Sequence, residues 1–196
     1  MIPLELRRFG SNPVVFRLLV AIFLGIGVFQ LLRVSNFYYQ AKNYTVGEGG
    51  DRIVAYDPRL VAASEGVELT VRWLKENSPA TSTVAVLPEG VLINYLARRA
   101  NPTPFPVLPP PEFQAHGESR VMAAFVRNPP DYIVLVHRDS AEFGLNYFGQ
   151  EPGYGMETMK WIQANYSPVW QYGAEPLTTE RFGIRILARS AAGKSS

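Results

Sequence analysis

The residues best placed for chemistry follow two short apolar runs. Thr83-Val84-Ala85-Val86-Leu87 is rich in β-branched residues and stops at Pro88-Glu89-Gly90. Asp131-Tyr132-Ile133-Val134-Leu135-Val136-His137 is followed by Arg138, Asp139 and Ser140. Both runs are apolar enough to be covered on two faces, as strands of a parallel sheet are. Ligands of open parallel sheets bind beyond the carboxyl ends of the strands. Parallel pairing therefore predicts Glu89 and His137 on one edge, where a carboxylate and an imidazole make an acid/base pair of the kind a hydrolase uses. Asp139 stands next to that histidine, and the loop after Ala100 brings Arg98 or Asn101 towards the same edge. A second set, for a glycan, is Tyr95, Arg98, Asn101 and Tyr147, with Asn94 beside Tyr95: aromatic faces for sugar rings and polar groups for hydroxyls. The same residues also have ordinary roles. Glu89 and Asp139 cap helices in that alternative, and His137 ends a strand with its hydrogen bonds met.

Other chemistries are excluded by what the chain lacks. There are no cysteines, so disulfides, thiolate metal sites and a cysteine nucleophile are ruled out, while the compartment stays undecided. His116 and His137 are the only histidines, which excludes a multi-histidine metal site, and His116-Gly117-Glu118 reads as a solvated loop. No Gly-rich phosphate loop follows a strand, and Gly-x-Ser-x-Gly is missing. No cofactor is expected. A net charge of +2, scattered along the chain, gives no nucleic-acid footprint.

The elements that must position these residues follow from periodicity. Leu60, Val67, Val71 and Leu74 share one face of a predicted helix over 59–77, stopped by Asn77-Ser78-Pro79. A second helix is predicted over 91–99, a third over 120–127 capped by Ser119, and a fourth over 156–166. Between them, 101–112 holds six prolines in twelve residues, which predicts a stiff extended loop packed by Phe105, Val107 and Leu108. Residues 143–155 read as a Gly- and aromatic-rich loop, and 167–172 with 182–188 as two closing strands, joined as a hairpin. This alternation predicts an α/β fold, a three-layer sandwich with a partly parallel sheet, over 59–189.

Ahead of that domain lies Val14 to Leu32, which holds one charge, Arg17, and one amide, Gln30. At about 1.5 Å per residue it just spans a hydrocarbon core of roughly 30 Å. A transmembrane helix over 14–34 makes the lipid bilayer a partner of this chain. No small-x-small site follows in Arg33-Val34-Ser35-Asn36-Phe37, so an uncleaved anchor is expected rather than a signal peptide. Arg7, Arg8 and Arg17 against Arg33 and Lys42 favour residues 1–13 as a cytoplasmic head, with the C-terminal domain periplasmic or extracellular. Phe37, Tyr38 and Tyr39 suit the far interface, 35–58 reads as a juxtamembrane connector broken by Gly47, Gly49 and Gly50, and 190–196 as a disordered tail.

Several motifs in order carry a resemblance. These are the tyrosine- and glycine-rich connector from Tyr44, Trp73-Leu74-Lys75-Glu76-Asn77-Ser78-Pro79, Val86-Leu87-Pro88-Glu89-Gly90, and Leu92-Ile93-Asn94-Tyr95-Leu96 with Arg98 and Arg99. Asn101-Pro102-Thr103-Pro104, Pro129-Pro130-Asp131-Tyr132, Tyr147-Phe148-Gly149 and Phe182-Gly183-Ile184-Arg185 follow. Together they resemble the last membrane helix and soluble C-terminal region of bacterial multi-pass GT-C glycosyltransferases related to the dolichyl-phosphate-mannose protein mannosyltransferases. The resemblance implies a non-cytoplasmic domain attached to, or working with, a multi-pass membrane glycosyltransferase and its lipid-linked sugar. Catalytic acids of such enzymes lie in the first external loop. The loop here offers Glu48, Asp51 and Asp57 but no adjacent acidic pair, so no catalytic residue carries over and the domain is expected to be non-catalytic.

Overall fold

A computed structural model describes residues 13–190. The chain divides after Asn43 into two compact units. The first is one helix, α1 (Pro13–Gln40), with no buried residue. Its 28 residues give a length of about 42 Å, more than a hydrocarbon core requires. It is long and apolar enough to cross a membrane. The helix outruns the predicted span because nothing after Leu32 stops it. Phe37, Tyr38 and Tyr39 therefore lie in its last turns and not in a connector. Residues 1–12 of the predicted head and the tail from Ala191 onward lie outside the described residues, while Pro13 belongs to α1.

The second unit is mixed α/β. It opens with a hairpin, β1 (Tyr44–Val46) and β2 (Ile53–Ala55), paired antiparallel in the register Thr45 opposite Val54. This corrects the expectation of an irregular connector over 35–58. Then follow α2 (Ala63–Asn77), β3 (Val84–Leu87), α3 (Val91–Ala97), α4 (Pro110–His116), α5 (Glu118–Arg127), β4 (Tyr132–Val136), α6 (Met156–Asn165), β5 (Tyr166–Gly173) and β6 (Gly183–Arg189). The four-stranded sheet runs β3-β4-β6-β5. β3 and β4 are parallel, with Val84 opposite Tyr132, while β6 is antiparallel to both β4 and β5. The predicted partly parallel sheet is thus a mixed one, and the closing strands do form a hairpin. Pro168 lies on β5, an edge strand, beside a register shift, where a missing N–H costs no ladder bond.

Period-two alternation divides the sheet between two cores. Ala85, Leu87, Ile133, Leu135 and Leu187 join Phe113 of α4, Val121 and Phe125 of α5 and Ile162 of α6. Val84, Val86, Val134, Ile184 and Ile186 join Val71 and Leu74 of α2, Ile93 and Leu96 of α3, and Val46 of the hairpin. Gly66 lets α2 lie close against the closing hairpin: a Cβ there would sit 2.9 Å from the rings of Phe182 and Tyr172.

Two polar devices align the elements. Asp131 Oδ2 accepts from the Thr83 amide at 2.9 Å and from the Thr83 hydroxyl at 3.0 Å, and that hydroxyl accepts the Asp131 amide, so the parallel strands start in register. Glu118 Oε1 accepts the Glu157 and Thr158 amides at 2.9 and 3.0 Å and caps α6 from another helix.

The proline-rich segment departs from expectation. Pro110 and Pro111 open α4, where the first turn needs no N–H donors. The remainder, 101–109, is an extended loop that packs down through Phe105 and Leu108, with the Leu108 amide donating to Pro88 O at 2.8 Å. His116 belongs to α4 and lies 4.8 Å from the Phe105 ring, so it is not a solvated loop residue. Helix α5 starts at Glu118 after Gly117, and Ser119 does not cap it.

Candidate functional site

Parallel pairing of β3 and β4 brings Glu89 and His137 to the same sheet edge. They do not form the predicted pair. Arg138 Nε donates to Glu89 Oε1 at 3.3 Å and also pairs with Glu142, so the carboxylate is held by the residue after the histidine. The Asp139 carboxylate accepts the Ala141 amide at 2.9 Å, a local turn bond ahead of the short 3-10 turn 141–143, whose N-cap is Ser140 and not the expected Asp139.

His137 is seated differently. Its amide donates to Gly183 O at 2.9 Å, continuing the ladder between β4 and β6. Its ring lies 5.2 Å from that of Tyr147 and 6.4 Å from that of Phe182. Nδ1 is sealed from solvent with no hydrogen-bond partner. Burial pushes the imidazole below the usual histidine range, against an opposing pull from Asp139. The Tyr147 phenol is pushed up, chiefly by desolvation and further by Asp139 and Glu180.

These four residues line one cavity of about 380 Å³, together with Leu145 and Asn146, and among the described residues no lysine or arginine lines it. The arrangement offers two acceptor carboxylates, a neutral imidazole and an aromatic wall. Glu180 was absent from the sequence-level candidates because it comes from the 174–182 connection between β5 and β6, which carries no motif.

The remaining candidates are spent on structure. Asn94 Nδ2 donates to Val84 O at 2.7 Å and to Arg99 O at 3.1 Å, tying α3 to β3. Asn101 braces its own loop, with Nδ2 donating to Phe105 O and Oδ1 accepting the Thr103 amide, both at 2.9 Å. Tyr95 and Arg98 are brought together, but around Asp51 of the hairpin connection. The Tyr95 hydroxyl donates to Asp51 Oδ1 at 2.7 Å, Arg98 pairs with the same carboxylate, and its guanidinium lies 4.5 Å over the Tyr95 ring. Hydrogen bonds from Tyr95 and then Arg98 hold the Asp51 carboxyl below its usual range. Tyr147 is thus the one member of the proposed glycan set that meets His137.

A second cavity of about 390 Å³ lies beneath the 174–182 connection, with Phe148, Ile162 and Leu177 among its lining. Several of its polar groups are already engaged: Arg185 with Glu175 and Gln171, and Gln150 Nε2 with Leu177 O at 2.5 Å. Among the described residues no three His, Asp or Glu side chains are grouped to hold a metal ion. No protein-family model, curated protein or solved structure matches the chain.

Proposed function

We propose that this chain is a membrane-anchored, exported α/β domain without catalytic activity of its own, serving as an accessory or C-terminal part of a polyprenyl-phosphate-sugar-dependent glycosyltransferase. The observation that carries the non-catalytic reading is the allocation of the strand-end side chains. Glu89, Asn94, Asn101 and Asp139 are engaged by partners within the domain, and the one imidazole at the edge has no carboxylate bonded to it. The anchor rests on the apolar length of α1. The orientation, N-terminus cytoplasmic and domain periplasmic or extracellular, rests on the arginines before the span. The transferase partnership rests on the order of motifs from Tyr44 to Leu187. A three-layer sandwich is our reading of the two cores that share the sheet.

The test uses the full chain reconstituted in bilayers with a polyprenyl-phosphate sugar. Alone it is expected to release no sugar. Cross-linking in native membranes is expected to join it to a multi-pass glycosyltransferase whose rate changes when the chain is removed. Turnover by the chain alone, abolished by His137→Ala or Glu89→Gln, overturns the proposal in favour of an anchored hydrolase.

A further inference from the structure

The cavity at the carboxyl end of β4 has a lining that selects its occupant. Asp139 and Glu180 present carboxylates and, among the described residues, no lysine or arginine faces them, so an anionic ligand such as a phosphate finds no cation to pair with. Both carboxylates belong to exposed residues, where hydration and salt screen their charge, so an ammonium ion gains little over water there. What remains is acceptor capacity for hydroxyl donors. The histidine supplies the converse. A proton on the sealed Nδ1 would be a buried donor without an acceptor. The resting ring therefore carries its proton on Nε2, and this nitrogen is the donor left for a ligand. Tyr147 adds an aromatic ring and a hydroxyl, and Leu145 an apolar patch. About 380 Å³ is at the lower end of the roughly 300–1,000 Å³ of small-molecule sites.

We infer that the cavity formed by His137, Asp139, Tyr147 and Glu180 binds an uncharged sugar ring, with its hydroxyls shared between the carboxylates and the imidazole and its apolar face against Tyr147. The inference stands on this cavity and not on the transferase partnership. A free glycan and the sugar end of a lipid-linked donor offer the same ring, and the phosphate of the latter stays outside.

His116 and His137 are the only two histidines, so the full chain in nanodiscs with isotope-labelled histidine gives a two-residue spectrum. Methyl glucoside, methyl galactoside and methyl mannoside are titrated singly to high millimolar concentration, with propylamine and inorganic phosphate as comparison ligands. At least one glycoside is expected to move the His137 resonances saturably while His116 stays still. Tyr147→Ala and Glu180→Gln are each expected to weaken that binding about tenfold. Glu180 is exposed, so Glu180→Gln tests the site in a chain that folds as the parent does. A glycoside that binds is then compared with a polyprenyl-phosphate sugar in the same nanodiscs. A response to both identifies the ring as the shared determinant. No response of His137 to any glycoside overturns the inference, as does a response to propylamine or phosphate in their place, or equal binding by both variants.

Discussion

Arg99 makes the sharpest test of the packing argument, because the residue before it has the same chemistry and a different job. Arg99 is 7% exposed and, among the described residues, its guanidinium bonds to carbonyls and a hydroxyl and not to a carboxylate. Its guanidinium donates to Leu74 O at 3.1 Å, Ser78 O at 2.8 Å, Ser78 Oγ at 3.1 Å and Ala97 O at 2.9 Å. Leu74, Ser78 and Ala97 stand at the carboxyl ends of α2 and α3, where carbonyls lack helical donors and a cation is favoured. A hydrogen bond to a charged group is worth about 1.5–3 kcal/mol net, and removing one side of such a buried set leaves the other unsatisfied. Because the four share one side chain and are not additive, Arg99→Ala is expected to cost about 3–5 kcal/mol. For a domain of this size that lowers Tm by about 10 °C. Arg99→Lys keeps the charge without the planar fork and falls between the two. Arg98→Ala removes an exposed ion pair to Asp51 and a guanidinium contact over the Tyr95 ring, both open to solvent, so its Tm stays within about 4 °C of the parent. The assay is thermal unfolding of the full chain in detergent, followed by tryptophan fluorescence. An Arg99→Ala protein that melts with the parent, or an Arg98→Ala protein that loses as much, refutes the reasoning.

Three further outcomes follow from the structure. At Gly155, φ is +82° and a Cβ would lie 2.3 Å from Cε2 of the buried Phe148 ring, so Gly155→Ala is expected to cost more than about 2 kcal/mol in a urea titration. Glu118→Ala removes the cap on α6 at a cost of about 1 kcal/mol, read as faster hydrogen exchange at the Glu157 and Thr158 amides. His137 has its folded-state pKa lowered, so as pH falls through the ordinary histidine value of about 6.5 the unfolded chain takes up a proton that the folded chain resists. The resulting loss of stability is absent above that range and grows below it. His137→Gln is expected to flatten this part of the curve of urea midpoint against pH.

The sequence was most informative where burial alone decides the element. The apolar runs at 84–87 and 132–136 are strands, and their parallel pairing follows from the helices between them. The membrane-length helix was equally plain. Elements decided by distant partners were not. The hairpin strands are three residues each, too short for a pattern, and are held by the domain. Val46 packs in the core shared with α2, and the Gly47 amide donates to Glu68 Oε2 at 2.8 Å. Helix α4 is hidden in the sequence because Pro110 and Pro111 act as helix breakers everywhere except in the first turn, where they stand. The cap on α6 comes from Glu118, 39 residues before Glu157. Nothing local separates Arg98 from Arg99, because their difference lies in how the chain turns after α3. Arg98 takes a left-handed conformation at φ +52°, and Arg99 is buried against α2.

The same logic explains why the edge of the sheet gave half of what was expected of it. A purely parallel sheet would bring a third strand's carboxyl end beside those of β3 and β4. Here the neighbour of β4 is β6, which runs the other way and starts at that edge, with Gly183 bonded to His137. What arrives at the edge is therefore the connection before β6, and with it Glu180. Glu89, one strand farther out, is left to Arg138. The antiparallel closure thus separates the two groups that parallel pairing brings to one edge. The carboxylate goes to an ion pair, and the histidine goes to an acidic, aromatic cavity. Among the described residues no carboxylate is bonded to the imidazole and no cation stands on the walls to pair with a phosphate. The cavity's donors and acceptors match the hydroxyls of a neutral ring. The neutral ring proposed for this cavity fits that division of the edge, in which Asp139 and Glu180 supply acceptors and His137 a donor.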